Sequence, residues 1–232
     1  MLNTLSDHFG WLDGLALAFF VCSWFGYGWF TEYSTRRDKC LVGASHAYRL
    51  TWAKELLCRE NRIVDSALVG NLMQSVSFYA NTTIYIIAGL LAAFGALDHL
   101  MEAAAQLPFT RQQTQRMWEV KLVLLTSVFV VAYFKFTWSL RQFNLLSILI
   151  GAAPNTKTDE ATRDKYAERM AAMNTRAGDD FYRGIRDYYF GLTSMSWFLH
   201  PGLLIAATFI VLGVLYRRDF KSNALDILQR DA

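Results

Sequence analysis

Lys135 and Arg141 stand inside a largely apolar, helix-compatible run at 122–150. A permanent cation at membrane depth costs about 2.5–3.5 kcal/mol on insertion scales, so each must snorkel to the headgroups, meet a partner or face a water-filled route. Their spacing places them roughly 120 degrees apart around a helix. One of the two can therefore face a partner or lumen while the other faces lipid headgroups. Thr126, Tyr133, Thr137, Arg141 and Asn144 form a polar stripe on the same helix. A comparable stripe, Asn71, Gln74, Asn81 and Tyr85, is continued by Ala88 and Ala92 on the preceding apolar segment, because spacings of three, four and seven fall on one helical face. Such stripes have two readings. They line a pore, or their amides bond across a helix interface where small residues allow close approach.

A third group is charged. Arg59, Glu60, Arg62 and Asp65 lie within reach of one another in RENRIVD, and with Glu32, Arg183 and Arg186 they make a candidate ion-pair network. Such a cluster reads as a solvated or subunit-bridging network rather than a catalytic one. The inner end of the third apolar helix sharpens the expectation: Lys135 or Arg141 should contact Glu32, Asp65 or a carboxylate of a neighbouring subunit, since an opposite charge favours the charged form where water is scarce.

Enzymatic constellations are missing from the sequence. His8, His46, His99 and His200 fall in four different segments, with none at helical metal spacing. Only His200 is near a span, which disfavours haem. The chain has no Walker-type glycine loop, no G-x-S-x-G elbow and no cysteine pair with zinc spacing. No catalytic residue, metal or cofactor is expected. Asp159, Glu160 and Asp164 should open a helix favourably for its dipole, and Asp179 and Asp180 should cap the helix leading to the last span.

The elements that position these residues follow from hydropathy. The composition is 53% hydrophobic and 19% charged, with the charges gathered between apolar runs. Spans are expected at about 11–31, where Asp13 is the internal charge, and at 66–97, 119–150 and 190–216, each meeting the roughly 20 residues that cross about 30 Å of hydrocarbon. The second and third would run to about 50 Å, more than tilt absorbs. The predicted fold is therefore all-α: a four-helix integral membrane bundle with two overlong helices extending into a cytoplasmic helical layer. Counted inward from Lys121, Lys135 comes after about 21 Å and Arg141 after about 30 Å, at the inner headgroups. Gly151 and Pro154 stop the third helix. The loops 32–65 and 151–189 should carry helices near 44–58 and 159–177, the latter broken by Gly178, and Pro201 should kink the last span. Neither a repeat nor a separating linker is visible, so 1–232 reads as a single membrane domain.

Orientation comes from Lys and Arg. The two long loops hold 14 of them and the remaining non-span segments seven, which places both loops in the cytoplasm and both termini in the periplasm of a bacterial inner membrane. The first span follows a segment without Lys or Arg and reads as retained rather than cleaved. Arg36, Arg37 and Lys39 should meet anionic headgroups. A net charge of +3 gives no reason to expect nucleic acid. Cys22, Cys40 and Cys58 imply no disulfide framework in a reducing compartment.

The blocks NRIVDSALVGNLMQSVSFYANTTIYIIAGLLA, FKFTWSLRQFNLLSILIGAAP, FYRGIRDYYFGLTSMSWFLHPG and LYRRDFKSNAL resemble, in order and over nearly the whole chain, those of a domain-of-unknown-function family of four-span membrane proteins from proteobacteria and plants. The resemblance implies fold and membrane residence and carries no established activity. The expected function is a homo-oligomeric channel or transporter-like protein for an ion or small solute. The alternative is a non-transporting scaffold or assembly partner acting through its cytoplasmic helices.

Overall fold

The computed structural model describes residues 10–33, 40–106, 113–156 and 158–229, and the elements among them are helical. In order they are α1 (Trp11–Tyr33), α2 (Leu41–Cys58), α3 (Ile63–Gly95), α4 (Leu97–Ala105), α5 (Gln115–Gly151), α6 (Glu160–Met195), a 3₁₀ turn (Ser196–Phe198), α7 (Pro201–Phe220) and α8 (Asn223–Gln229). The fold is an all-α helical bundle. Three segments, Trp11–Thr31, Ile63–Gly95 and Gln115–Gly151, are long and apolar enough to cross a membrane, which marks a membrane protein.

The local signals mostly act as expected. The Gly43 amide donates to Cys40 Sγ at 3.4 Å at the start of α2, and Asp159 Oδ2 accepts the Thr162 amide at 2.9 Å, capping α6. α5 ends at Gly151, three residues before Pro154. The overlong second and third apolar helices have 33 and 37 residues.

Two expectations are corrected. Gly178 does not break a helix, and Asp179 and Asp180 do not cap one: all three lie inside the unbroken 36-residue α6. The glycine is there for space, since a Cβ at 178 would come within 2.9 Å of Arg49 Cζ. The segment 190–216 is not one kinked span either. It is divided by the 3₁₀ turn and by Leu199 and His200, and Pro201 opens α7 at a first-turn position that needs no N–H donor.

Two compact units form. The first comprises 1–34, 83–132 and 185–216, and the second 35–82, 133–184 and 217–232. In the first, Ala16, Phe20, Trp24, Val128, Phe190 and Trp197 belong to one buried core. Phe129 lies against Gly191, whose added Cβ would fall 2.9 Å from the ring. In the second, Phe136 packs against Gly184 in the same way, and its ring stacks on Tyr79 at 5.6 Å. α8 joins α2 through Tyr48, whose hydroxyl donates to the Leu228 carbonyl at 3.1 Å.

Candidate functional site

Polar groups collect in each unit. In the first, Asp13 is 5% and Lys121 1% exposed. Trp197 lies between them. Its indole N–H donates to Asp13 Oδ1 at 3.0 Å, while Lys121 Nζ sits 5.1 Å from its ring centroid and donates to its carbonyl at 2.6 Å. An indole has a positive N–H edge and a negative face, so one side chain serves a carboxylate and an ammonium together. Lys121 also donates to Gln113 Oε1. Further along α1, Trp24 Nε1 donates to buried Asp187 Oδ1 at 2.8 Å. Beyond that, Arg186 Nη1 donates to Thr31 Oγ1 at 2.7 Å and its guanidinium stands 5.9 Å from the Tyr27 ring. At 1.5 Å per residue, Trp24 is about 16 Å and Thr31 about 27 Å along α1 from Asp13. The Asp187 carboxylate is thus held near the middle of a span-length helix, where an ionisable group marks a functional position by default.

In the second unit, Asp65 is fully buried and accepts from Trp52 Nε1 and Arg59 Nη1, both at 2.7 Å. Arg62 donates to the carbonyls of Ala153 and Pro154 at 3.0 and 2.7 Å, closing the end of α5. Asp179 faces α2, with His46 Nε2 at 3.4 Å and Arg49 Nη1 at 3.9 Å. Burial pushes the Arg49 guanidinium below its ordinary value, against the opposing pull of Asp179. Arg49 also borders a cavity of about 390 Å³, with Tyr48, Trp52, Phe143, Asn174 and Phe181 among its other walls.

The expected ion-pair network is therefore only partly assembled. Arg59 and Asp65 pair, Arg183 pairs with Asp180 at 2.8 Å, and Arg62 and Arg186 serve carbonyl and hydroxyl acceptors instead. Glu60 is exposed and makes no ion pair among the described residues. Asp65 is taken by Arg59 and Trp52, not by Lys135 or Arg141. Arg141 is exposed, its guanidinium 5.4 Å from the Trp138 ring, and Lys135 is half-buried. The Glu32 side chain and Arg36, Arg37 and Lys39 lie outside the described residues.

The route candidates on α3 face outward. Asn71, Gln74, Asn81 and Tyr85 are exposed, whereas Asp65, Val69, Val76, Ala80 and Thr83 form the buried face. On α5, Thr137 is half-buried and its hydroxyl donates to the Phe134 carbonyl at 3.0 Å, while Asn144 is exposed. Sequence reasoning passed over Lys121, Asp187, Arg49 and Asn174 as site residues. The signal for the first two was a charge within or beside an apolar run. For Arg49 and Asn174 no local signal existed.

No curated protein and no solved structure matches the chain. The family described as "Protein of unknown function, DUF599" matches residues 15–224, so the chain belongs to that family.

Proposed function

We propose that the protein is a multi-span homo-oligomer of the bacterial inner membrane that provides a route for an ion or small solute, with the polar stripes of α3 and α5 at or near the surfaces where copies meet. The observation that carries this reading is the outward face of α3. A helix apolar enough to span presents Asn71, Gln74 and Asn81 to its surroundings, and only 17% of its most apolar window is buried within the chain. Asn71 and Gln74 fall in the part of α3 that extends into the cytoplasmic layer, whereas Asn81 falls at membrane depth, where lipid cannot satisfy an amide and protein or water must cover it. Because they point away from the chain's own core, a route using them forms between copies. In this reading the fourth span is contributed around α7, the loops 32–65 and 151–189 are cytoplasmic, and both termini are periplasmic.

The test is mass in mild detergent together with ion flux in liposomes, for the wild type and for Asn81→Leu. An oligomer with flux that the substitution alters is the expected result. A strictly monomeric, flux-silent protein overturns the reading. An oligomer without flux leaves the scaffold alternative in its place.

A further inference from the structure

We infer that the cavity beside Arg49 binds a small organic anion with an aromatic or short acyl body, its head held by the Arg49 guanidinium and the Asn174 amide and its body by the aromatic wall. The site lies within the second unit and is independent of any route between copies.

Arg49 is the sole charged residue lining the cavity among the described residues. Its side chain is 16% exposed, and its acceptors in the protein are distant: the Thr175 carbonyl at 3.4 Å and Asp179 at 3.9 Å. Asp179 is also shared with His46. A guanidinium carries five donors, so most of this one's capacity is unspent. Its arrival at the wall depends on Gly178, because a Cβ there would collide with the guanidinium.

Asn174 supplies an independent observation. It is 5% exposed, lines the cavity and has no side-chain hydrogen bond among the described residues. Its amide is not among the enclosed side-chain atoms left without a partner, so it opens into the cavity, where the polar head of a ligand can take the place of water. Asn174 and Gly178 are four residues apart on α6, so the amide and the gap admitting Arg49 share one helix face.

The remaining chemistry selects the ligand. Tyr48, Trp52, Phe143 and Phe181 supply apolar and aromatic surface, and about 390 Å³ falls within the roughly 300–1,000 Å³ of small-molecule sites. Among the described residues no carboxylate lines the cavity to hold a cation. A carboxylate or phosphate head on an apolar body fits, whether free in solution or part of a lipid.

The test uses the full chain in nanodiscs of phosphatidylcholine, titrated with 4-phenylbutyrate and, as the opposite charge, 4-phenylbutylamine, with heat of binding as readout. The expected result is saturable binding of the acid alone, weakened at least about tenfold by Arg49→Gln and by Asn174→Leu. Asn174→Leu removes no bond within the protein, so it carries the test even where Arg49→Gln unfolds. Repeating the titration in discs containing phosphatidylglycerol separates the sources: competition assigns the site to a lipid headgroup, and its absence to a free solute. Equal binding of acid and amine, affinity unchanged in Asn174→Leu, or no saturable binding to the folded wild type overturns the proposal and leaves the cavity to water.

Discussion

Gly184→Ala probes how closely α5 and α6 approach. The added Cβ would stand 2.5–2.8 Å from three ring carbons of Phe136. Real Cβ atoms essentially never come so close, and Phe136 is fully buried, with Tyr79 and Phe181 ring centroids at 5.6 and 5.9 Å, so its ring has little room to retreat. Two terms compete. Replacing glycine by alanine in a helix gains about 1 kcal/mol of propensity, while overpacking a core typically costs about 1–3 kcal/mol. Gly70→Ala serves as the control, because a Cβ there meets nothing within 4 Å and should show the gain alone. The two variants should therefore differ by about 1–3 kcal/mol, or roughly 2–12 °C in Tm for a chain of this size. Thermal unfolding in one detergent, followed by circular dichroism, measures the gap. Adding Phe136→Leu to Gly184→Ala should recover more stability than additivity allows, with a coupling of about 0.5–3 kcal/mol. Equal Tm values for Gly184→Ala and Gly70→Ala would refute the claim that helix approach here is limited by this contact.

Three further outcomes are expected. Asp65→Ala should destabilise by about 1.5–3 kcal/mol in denaturant unfolding, chiefly through the stranded Trp52 indole, because Arg59, at 46% side-chain exposure, finds water instead; Asp65→Asn, which keeps an acceptor, should lose less. Lys121→Met should cost about 1–3 kcal/mol by leaving the buried Trp197 carbonyl without its donor, and an unchanged Tm would show that the ammonium contributes nothing there. The backbone hydrogen bond from Thr162 holds the Asp159 carboxyl below its ordinary value; its folded pKa is depressed, so its contribution is present above the unfolded value and fades as pH falls through the folded one. The stability difference between wild type and Asp159→Ala should accordingly shrink as pH falls through and below the ordinary carboxylate range.

Helix existence was legible where local and tertiary signals agreed. α3 and α5 announced themselves by long uncharged or nearly uncharged apolar runs, and α5 stopped where Gly151 and Pro154 said it should. α6 was misread because glycine followed by two aspartates is a sound local stop signal. Its continuation is supported by partners distant in sequence: Arg49 fills the space at Gly178, His46 and Arg49 face Asp179, and Gln142 bonds Asp180. Propensity is a weak prior that such contacts override. The polar stripe on α3 was legible as a stripe, but periodicity fixes only which residues share a face. Whether that face turns towards the core depends on a competing stripe, here Asp65, Val69, Val76 and Ala80.

The least legible feature is the way buried carboxylates are held. Asp13, Asp65 and Asp187 each accept an indole N–H, from Trp197, Trp52 and Trp24 respectively. The donors lie 184, 13 and 163 residues away, so no motif brings donor and acceptor together in the sequence. The choice of tryptophan has a physical reason. An indole is a donor only and carries no charge of its own, so it can satisfy one carboxylate oxygen without bringing a second ion out of water, whose desolvation costs several kcal/mol. It also contributes a large apolar body to the helix packing on which the fold depends. At Trp197 the same ring receives Lys121 on its face, joining the start of α1, the first turns of α5 and the end of α6 through one side chain. Trp197→Phe would keep the ring face and lose the N–H. It should therefore destabilise through Asp13 while sparing the Lys121 contact, and the loss should shrink where Asp13 is already replaced by leucine, which offers the indole no acceptor. Full additivity of Trp197→Phe and Asp13→Leu in a double-mutant cycle would show that the indole–carboxylate bond contributes no coupling.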